Sequence, residues 1–240
     1  MNEQTRFGGI LSVVLLIIAV VVTALVLGSI HGKKKPISET IRDMVVNAMF
    51  IAIVMIMTFV PNLGYITITP LISFTIIHLP VLLAAALFGW KKGLFMGFVF
   101  GCSSYIQAAT GGVAGLNLLF AYPWTAIPPR ALFGLIAGIV FSLIRKLHKG
   151  GMKGLYLGLA AALLTVTHTV LVFGNLFLFF PSEVGGLLAS NSPIAEGTKL
   201  TFLLIILIGM SGEAALSAVL IPPLTLAVSK AAPRLVKQSA

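Results

Sequence analysis

Charge is almost absent from the long apolar runs of this chain, and that absence decides which solvent it folds in. Only 22 of its 240 residues are Asp, Glu, Lys or Arg, or 9%, against roughly 25% in a soluble domain. With 58% of residues hydrophobic, too little polar surface remains to face water. The bilayer is therefore the solvent. A chain in lipid must satisfy its backbone internally, so the expected fold class is an all-α membrane protein. Polar groups left inside the apolar runs then carry most of the functional information.

The net charge of +10 is a topology signal rather than a nucleic-acid footprint. Lys33, Lys34, Lys35 and Arg42 form one group, and Lys91 with Lys92 a second. Arg145, Lys146, Lys149 and Lys153 make a third, and Lys230, Arg234 and Lys237 a fourth. All lie between or after apolar segments, as the positive-inside rule expects. Placing these 13 in the cytoplasm leaves Arg6, Arg130 and Lys199 on the other side. That split puts the C-terminus in the cytoplasm and the N-terminus outside; the expected location is a bacterial cell membrane, crossed several times. The lone Cys102 has no intrachain disulfide partner and reads as packing.

Residues 8–30 carry no charge and are long enough for the ~30 Å hydrocarbon core. A signal peptide is the competing reading, but the run is longer than an ordinary ~7–15-residue core and its basic cluster follows it. Residues 1–40 are thus expected to form an extra N-terminal transmembrane helix with a basic linker. A six-span bundle over residues 41–230 and a short basic tail at 231–240 complete the chain. Spans are expected at about 41–61, 71–89, 93–109, 128–147, 153–180 and 200–228. The second contains Pro80 and reads as one kinked or short helix. Between the first two, Pro61-Asn62-Leu63-Gly64 signals a turn. Tyr65-Ile66-Thr67-Ile68-Thr69-Pro70 alternates β-branched and polar residues, as a short hairpin dipping into the protein would. Long outer loops are expected at 109–127 and 181–199. Gly93, Gly97 and Gly101, Gly134 and Gly138, and Gly150, Gly154 and Gly158 recur at the spacing that lets helix backbones approach.

No phosphate-binding loop, CxxC, HExxH or GxSxG stands in the sequence, so neither ATP hydrolysis by that loop nor familiar catalysis has a footing. The polar residues within spans are few. Glu213 lies about 13 residues into the last span, near mid-membrane, as a ligand or proton site or as a structural pair. Thr165, His168 and Asn175 share one helix face, for ligand contact or for interhelical hydrogen bonds. Arg130 opens its span after Pro128-Pro129. It either snorkels to headgroups or holds an anion bidentately. His78, beside Pro80, reads as a hydrogen-bonded structural residue. Ala48 and Ala52 form an AxxxA pair.

Taken together, these features resemble the substrate-binding S component of an energy-coupling factor (ECF) transporter, the vitamin-uptake branch of ATP-binding-cassette importers. The resemblance is carried over about residues 40–230. Its motifs are Asn47-Ala48-Met49-Phe50-Ile51-Ala52, the run from Ile76-Ile77-His78-Leu79-Pro80 through Gly89-Trp90-Lys91-Lys92-Gly93 to Ser103-Ser104, Pro129-Arg130 with Gly134 and Gly138, and Thr165 to Val172 followed by Glu213. It implies a six-helix vitamin-binding protein, not an enzyme, whose outer pocket is covered by residues 62–75 and 109–127. It also implies docking through Ala48 and Ala52 onto a transmembrane scaffold with two cytoplasmic ATPases. ATP is then used by those partners and no cofactor resides in this chain. The chain departs from the family in its helix at 8–30 and in His168, where relatives more often carry Asn.

The pattern resembles the pantothenate branch most. Arg130 would take the carboxylate of such a ligand, while Asn175, His168 and Thr167 would serve its hydroxyl and amide groups. Tyr65, Asn117 and Trp124 in the covering loops and Glu213 complete the candidate site. Cobalamin and a pyrimidine precursor of thiamine are alternative ligands. A stand-alone proton-coupled transporter using Glu213 or His168 is an alternative function.

Overall fold

A computed structural model describes residues 37–61, 63–69, 72–110, 115–147, 152–182, 184–185 and 198–233. The expected helix at 8–30, most of the 181–199 loop and the tail beyond 233 lie outside the described residues. The protein is mostly helical. Its elements run α1 (Ile37–Phe59), β1 (Tyr65–Thr69), β2 (Ile72–Thr75), α2 (His78–Phe88), α3 (Trp90–Ala109), a 3-10 helix (Gly115–Ala121), α4 (Pro123–Leu147), α5 (Lys153–Phe179) and α6 (Thr198–Ala231). Among the described residues four helices are long and apolar enough to cross a membrane: Ile41–Phe59, Pro123–Lys146, Lys153–Phe179 and Leu207–Ala231. Many of their large apolar side chains point outward, among them Met44, Leu143, Leu163 and Val219, as a lipid-facing surface requires.

The hairpin expected after α1 is present. Tyr65 pairs with Thr75 and Ile66 with Phe74 in an antiparallel register that shifts between Thr67 and Thr69. Residues 71–89 are not one helix, however. Ile72–Thr75 is the second arm of the hairpin and only His78–Phe88 is helical. A short apolar run does not distinguish a buried strand from a helix, and here the partner strand decides. Pro80 stands in the first turn of α2, where its missing N–H leaves no helical bond unmade and no kink follows. Ten of the eleven residues of α2 are buried, so this short helix lies inside the bundle. Its last carbonyls, at Ala86 and Leu87, accept from the Arg145 guanidinium at 3.1 and 2.7 Å.

The α3–α4 seam is made by glycine. A Cβ on Gly93 would run into the Gly134 carbonyl, one on Gly97 into the Arg130 carbonyl, and one on Gly138 into Trp90. The contact order rises along α3 and falls along α4, so the two are antiparallel. Lipid offers no hydrophobic force between helices, and close backbone approach supplies dispersion contacts instead. Gly89, at φ 82°, makes the turn between α2 and α3 in a region open to glycine. On the other side, α5 meets α6 where Gly158 faces the Ala218 carbonyl and Pro222. Pro222 has no N–H to give that carbonyl, so the freed acceptor sits where the partner helix is smallest.

Helix α4 starts at Pro123 rather than 128, taking Pro128 and Pro129 inside it. The outer loop expected at 109–127 thus contains a 3-10 helix and the first turn of α4. Alternating helix directions gather Arg42, Lys91, Lys92, Arg145, Lys153 and Lys230 at one end of the bundle. The hairpin, the 3-10 helix and Trp124 lie at the other.

Candidate functional site

Polar residues from five elements meet in the bundle interior beneath the hairpin. At its floor, three side chains join α2, α5 and α6. His78 Nε2 lies 2.9 Å from Ser217 Oγ and 3.3 Å from Thr165 Oγ1, and Thr165 Oγ1 lies 2.7 Å from Ser217 Oγ. The Ser217 hydroxyl also donates to the Glu213 carbonyl at 2.9 Å. All three residues are buried. Their role is to pin three helices together, as read for His78 from the sequence.

Above this floor His168 stacks on His78 with ring centroids 5.7 Å apart, on Phe100 at 5.7 Å, and leans on Phe133 at 4.8 Å. It is 5% exposed, yet neither ring nitrogen has a hydrogen-bond partner. On the far side of Phe100 lies Arg130. Its guanidinium sits 5.0 Å from the Phe100 ring and 4.2 Å from that of Phe120. Nη1 donates to the Ala126 carbonyl at 2.9 Å while Nε has no partner. Arg130 is 2% exposed. It therefore points into the protein and does not snorkel to the headgroups. Tyr65, on β1, interacts with this guanidinium, and its hydroxyl lies 3.0 Å from Ser104 Oγ. The buried amide oxygen of Asn175, two turns beyond His168 on the same face of α5, is also unpartnered.

Buried polar atoms are nearly always hydrogen-bonded. Arg130, His168 and Asn175 are exceptions, each with a buried polar atom that has no partner. A guanidinium held between two aromatic faces, with no carboxylate paired to it among the described residues, has the chemistry of an anion receptor. His168 and Asn175 offer donors and acceptors alongside. Among the described residues no group of three or more His, Cys, Asp or Glu side chains is placed to hold a metal.

Other expected residues are placed differently. Thr167 lies one residue out of phase with His168, and its hydroxyl returns to the Leu163 carbonyl of its own helix at 2.9 Å. Glu213 is buried, but its Oε1 accepts the Thr75 backbone N–H at 2.5 Å, holding the hairpin to α6. That is the structural of the two uses open to it. Trp124 lies tilted against Tyr122, which also meets Phe180, with ring centroids at 5.0 and 4.8 Å. It belongs to an aromatic cluster over the site rather than to its polar core. Asn117 is half-buried in the 3-10 helix. Ala48 and Ala52 lie on the exposed face of α1 with Met44, Val45, Met49 and Ile56. Sequence reasoning missed Ser217, although it stands one turn after Glu213 on the same face. It also missed the platform of Phe100, Phe120 and Phe133, which looks like ordinary apolar sequence.

Fold and site together define a multi-pass membrane protein with a buried cluster of polar side chains beneath a hairpin. Residues 42–225 match the family model of the ECF transporter, substrate-specific component, and the chain belongs to that family. It is 32% identical over 176 residues to the pantothenic acid transporter PanT of Lactococcus lactis subsp. cremoris, a match covering 62% of this chain and 84% of that protein. It is 36% identical over 131 residues to the pantothenate transporter PanT of Leuconostoc mesenteroides subsp. mesenteroides, covering 53% of this chain and 64% of that one. Membership in a transporter family makes the chain a transport protein and not an enzyme.

Proposed function

We propose that this chain is the membrane-embedded, high-affinity pantothenate-binding subunit of an ECF transporter. It hands the vitamin to a scaffold subunit and two cytoplasmic ATPases for ATP-driven uptake. The observation that carries the reading is the buried Arg130 guanidinium with no paired carboxylate among the described residues. Pantothenate brings one carboxylate, and its hydroxyl and amide groups match the unpartnered atoms of His168 and Asn175. The names of two relatives point to the same ligand.

The proposed architecture is six spans plus the N-terminal helix, with the basic end of the bundle in the cytoplasm. Ala48 and Ala52 then offer the scaffold a smooth stripe on which a partner helix can slide and dock. Liposomes test this directly. The chain alone should bind labelled pantothenate without concentrating it inside. Liposomes that also hold scaffold and ATPases should accumulate it only when supplied with ATP. Accumulation by the chain alone, driven by a proton gradient, would instead establish a self-sufficient transporter.

A further inference from the structure

A second polar site lies at the opposite, basic end of the bundle, away from the receptor. A cavity of about 220 Å³ opens there between α2, α4, α5 and α6, lined by Arg145, Lys153, Thr225 and Ser229 against walls that include Leu157 and Pro233. That volume is about seven times the ~30 Å³ share of one water in the liquid. It has room for a tetrahedral oxyanion and its substituents. No carboxylate lines it among the described residues.

Three features give it a sign and a purpose. Arg145 is fixed by its bonds to the Ala86 and Leu87 carbonyls and, through Nη2, to Ser142 Oγ at 3.1 Å. A guanidinium carries five N–H donors, so fixed in this way it still has donors to spare. Lys153 begins α5, a 27-residue helix whose N-cap makes no side-chain bond, so uncapped backbone N–H groups and the positive end of the helix dipole stand beside it. Thr225 supplies the independent sign of a ligand. Thr58, Thr165, Thr167, Thr169, Ser142 and Ser217 all return their hydroxyls to the carbonyl one turn back. The Thr225 hydroxyl has no partner at all, although the residue is only 5% exposed. Thr225 lines the cavity and carries a buried hydroxyl that its own helix leaves unpaired.

We propose that this cavity binds a phosphate group through Arg145, Lys153 and the hydroxyls of Thr225 and Ser229. The group can come from the headgroup of an anionic lipid in the adjoining leaflet or from soluble phosphate. Basic pockets between transmembrane helices at the cytoplasmic side take such headgroups.

The test uses the purified full chain in a neutral detergent and follows thermal unfolding. It is titrated separately with inorganic phosphate, with short-chain phosphatidylglycerol and with the matching diacylglycerol. A saturable rise in midpoint with phosphatidylglycerol, absent with diacylglycerol and inorganic phosphate, assigns the lipid source. A saturable rise with inorganic phosphate assigns the soluble one. In either case Lys153→Gln and Thr225→Val should raise the half-saturating concentration about tenfold, as loss of one charge-assisted bond does. Thr225→Val should leave the ligand-free midpoint equal or higher, since it removes an unpaired buried hydroxyl. Pantothenate affinity should not change in either variant. No saturable rise with either phosphate compound, or the same half-saturation in both folded variants, overturns the site.

Discussion

Replacing Arg130 with methionine separates a receptor from a brace, because the two roles predict opposite effects on stability. In the free protein the guanidinium bonds the Ala126 carbonyl, interacts with Tyr65 and lies over two phenylalanine rings. These contacts are worth about 1 kcal/mol for the bond and ~0.5–2 kcal/mol for each ring. Against them stands the desolvation of a buried cation with no paired carboxylate among the described residues, several kcal/mol. The terms nearly cancel, and methionine fills the same slot between the rings. The ligand-free unfolding midpoint of Arg130→Met should therefore stay within about 1–2 kcal/mol of the parent or rise. Binding should behave differently. A charge-assisted pair with a carboxylate contributes roughly 1.5–3 kcal/mol, so pantothenate affinity should drop about 10- to 150-fold. Arg130→Lys keeps the charge without the planar fork and should fall between. Calorimetric titration and a thermal melt on the same preparation read both numbers. If affinity is unchanged, or if stability and affinity collapse together, Arg130 is a structural brace and the receptor argument fails.

Further perturbations address the rest of the account. Ser217→Ala leaves His78 and Thr165 without their shared partner and should cost about 1–3 kcal/mol of stability in a denaturation series, with a smaller effect on affinity. Glu213→Gln keeps an acceptor for the Thr75 N–H and should be nearly silent in both binding and melting, whereas Glu213→Ala should destabilise by about 1–3 kcal/mol. A large binding loss with the glutamine variant would return Glu213 to the receptor. Gly97→Val sets a side chain against the Arg130 carbonyl. It should lower stability by more than the ~1–3 kcal/mol of ordinary overpacking, since backbone must move. Ala48→Trp or Ala52→Trp, on the exposed face of α1, should leave pantothenate binding intact while abolishing ATP-driven uptake in the full complex. Lost binding would mean that this face packs within the bundle.

Much of the fold was legible because lipid leaves few ways to satisfy a backbone. Apolar runs marked α1, α4, α5 and α6, and the turn at Pro61–Gly64 with its alternating sequel marked the hairpin. The glycine spacing in α3 and α4 marked a close seam, which the carbonyl contacts of Gly93 and Gly97 bear out. The spacing at Gly154 had no such meaning, for its nearest neighbour is a Leu226 methyl 3.9 Å away. Residues 71–77 were misread because hydropathy carries no information on strand pairing. The start of α4 was misread because Pro128 and Pro129 looked like an entry, when Pro123 already occupies the first helical position. Orientation was the harder problem at the site. Arg130 stands in a helix apolar all round, so periodicity could not say whether it faced lipid or protein. Thr167 and His168 are sequence neighbours, but a helix turns about 100° per residue, and only His168 reaches the aromatic platform.

The most direct measurement of the central claim is calorimetric titration of the purified chain with pantothenate, without ATP or partner subunits, beside its alcohol analogue panthenol. The account predicts saturable one-to-one binding of pantothenate and affinity for the alcohol at least tenfold weaker, because only the acid meets the Arg130 charge. Equal affinity for the two, or no binding by demonstrably folded protein, would contradict it.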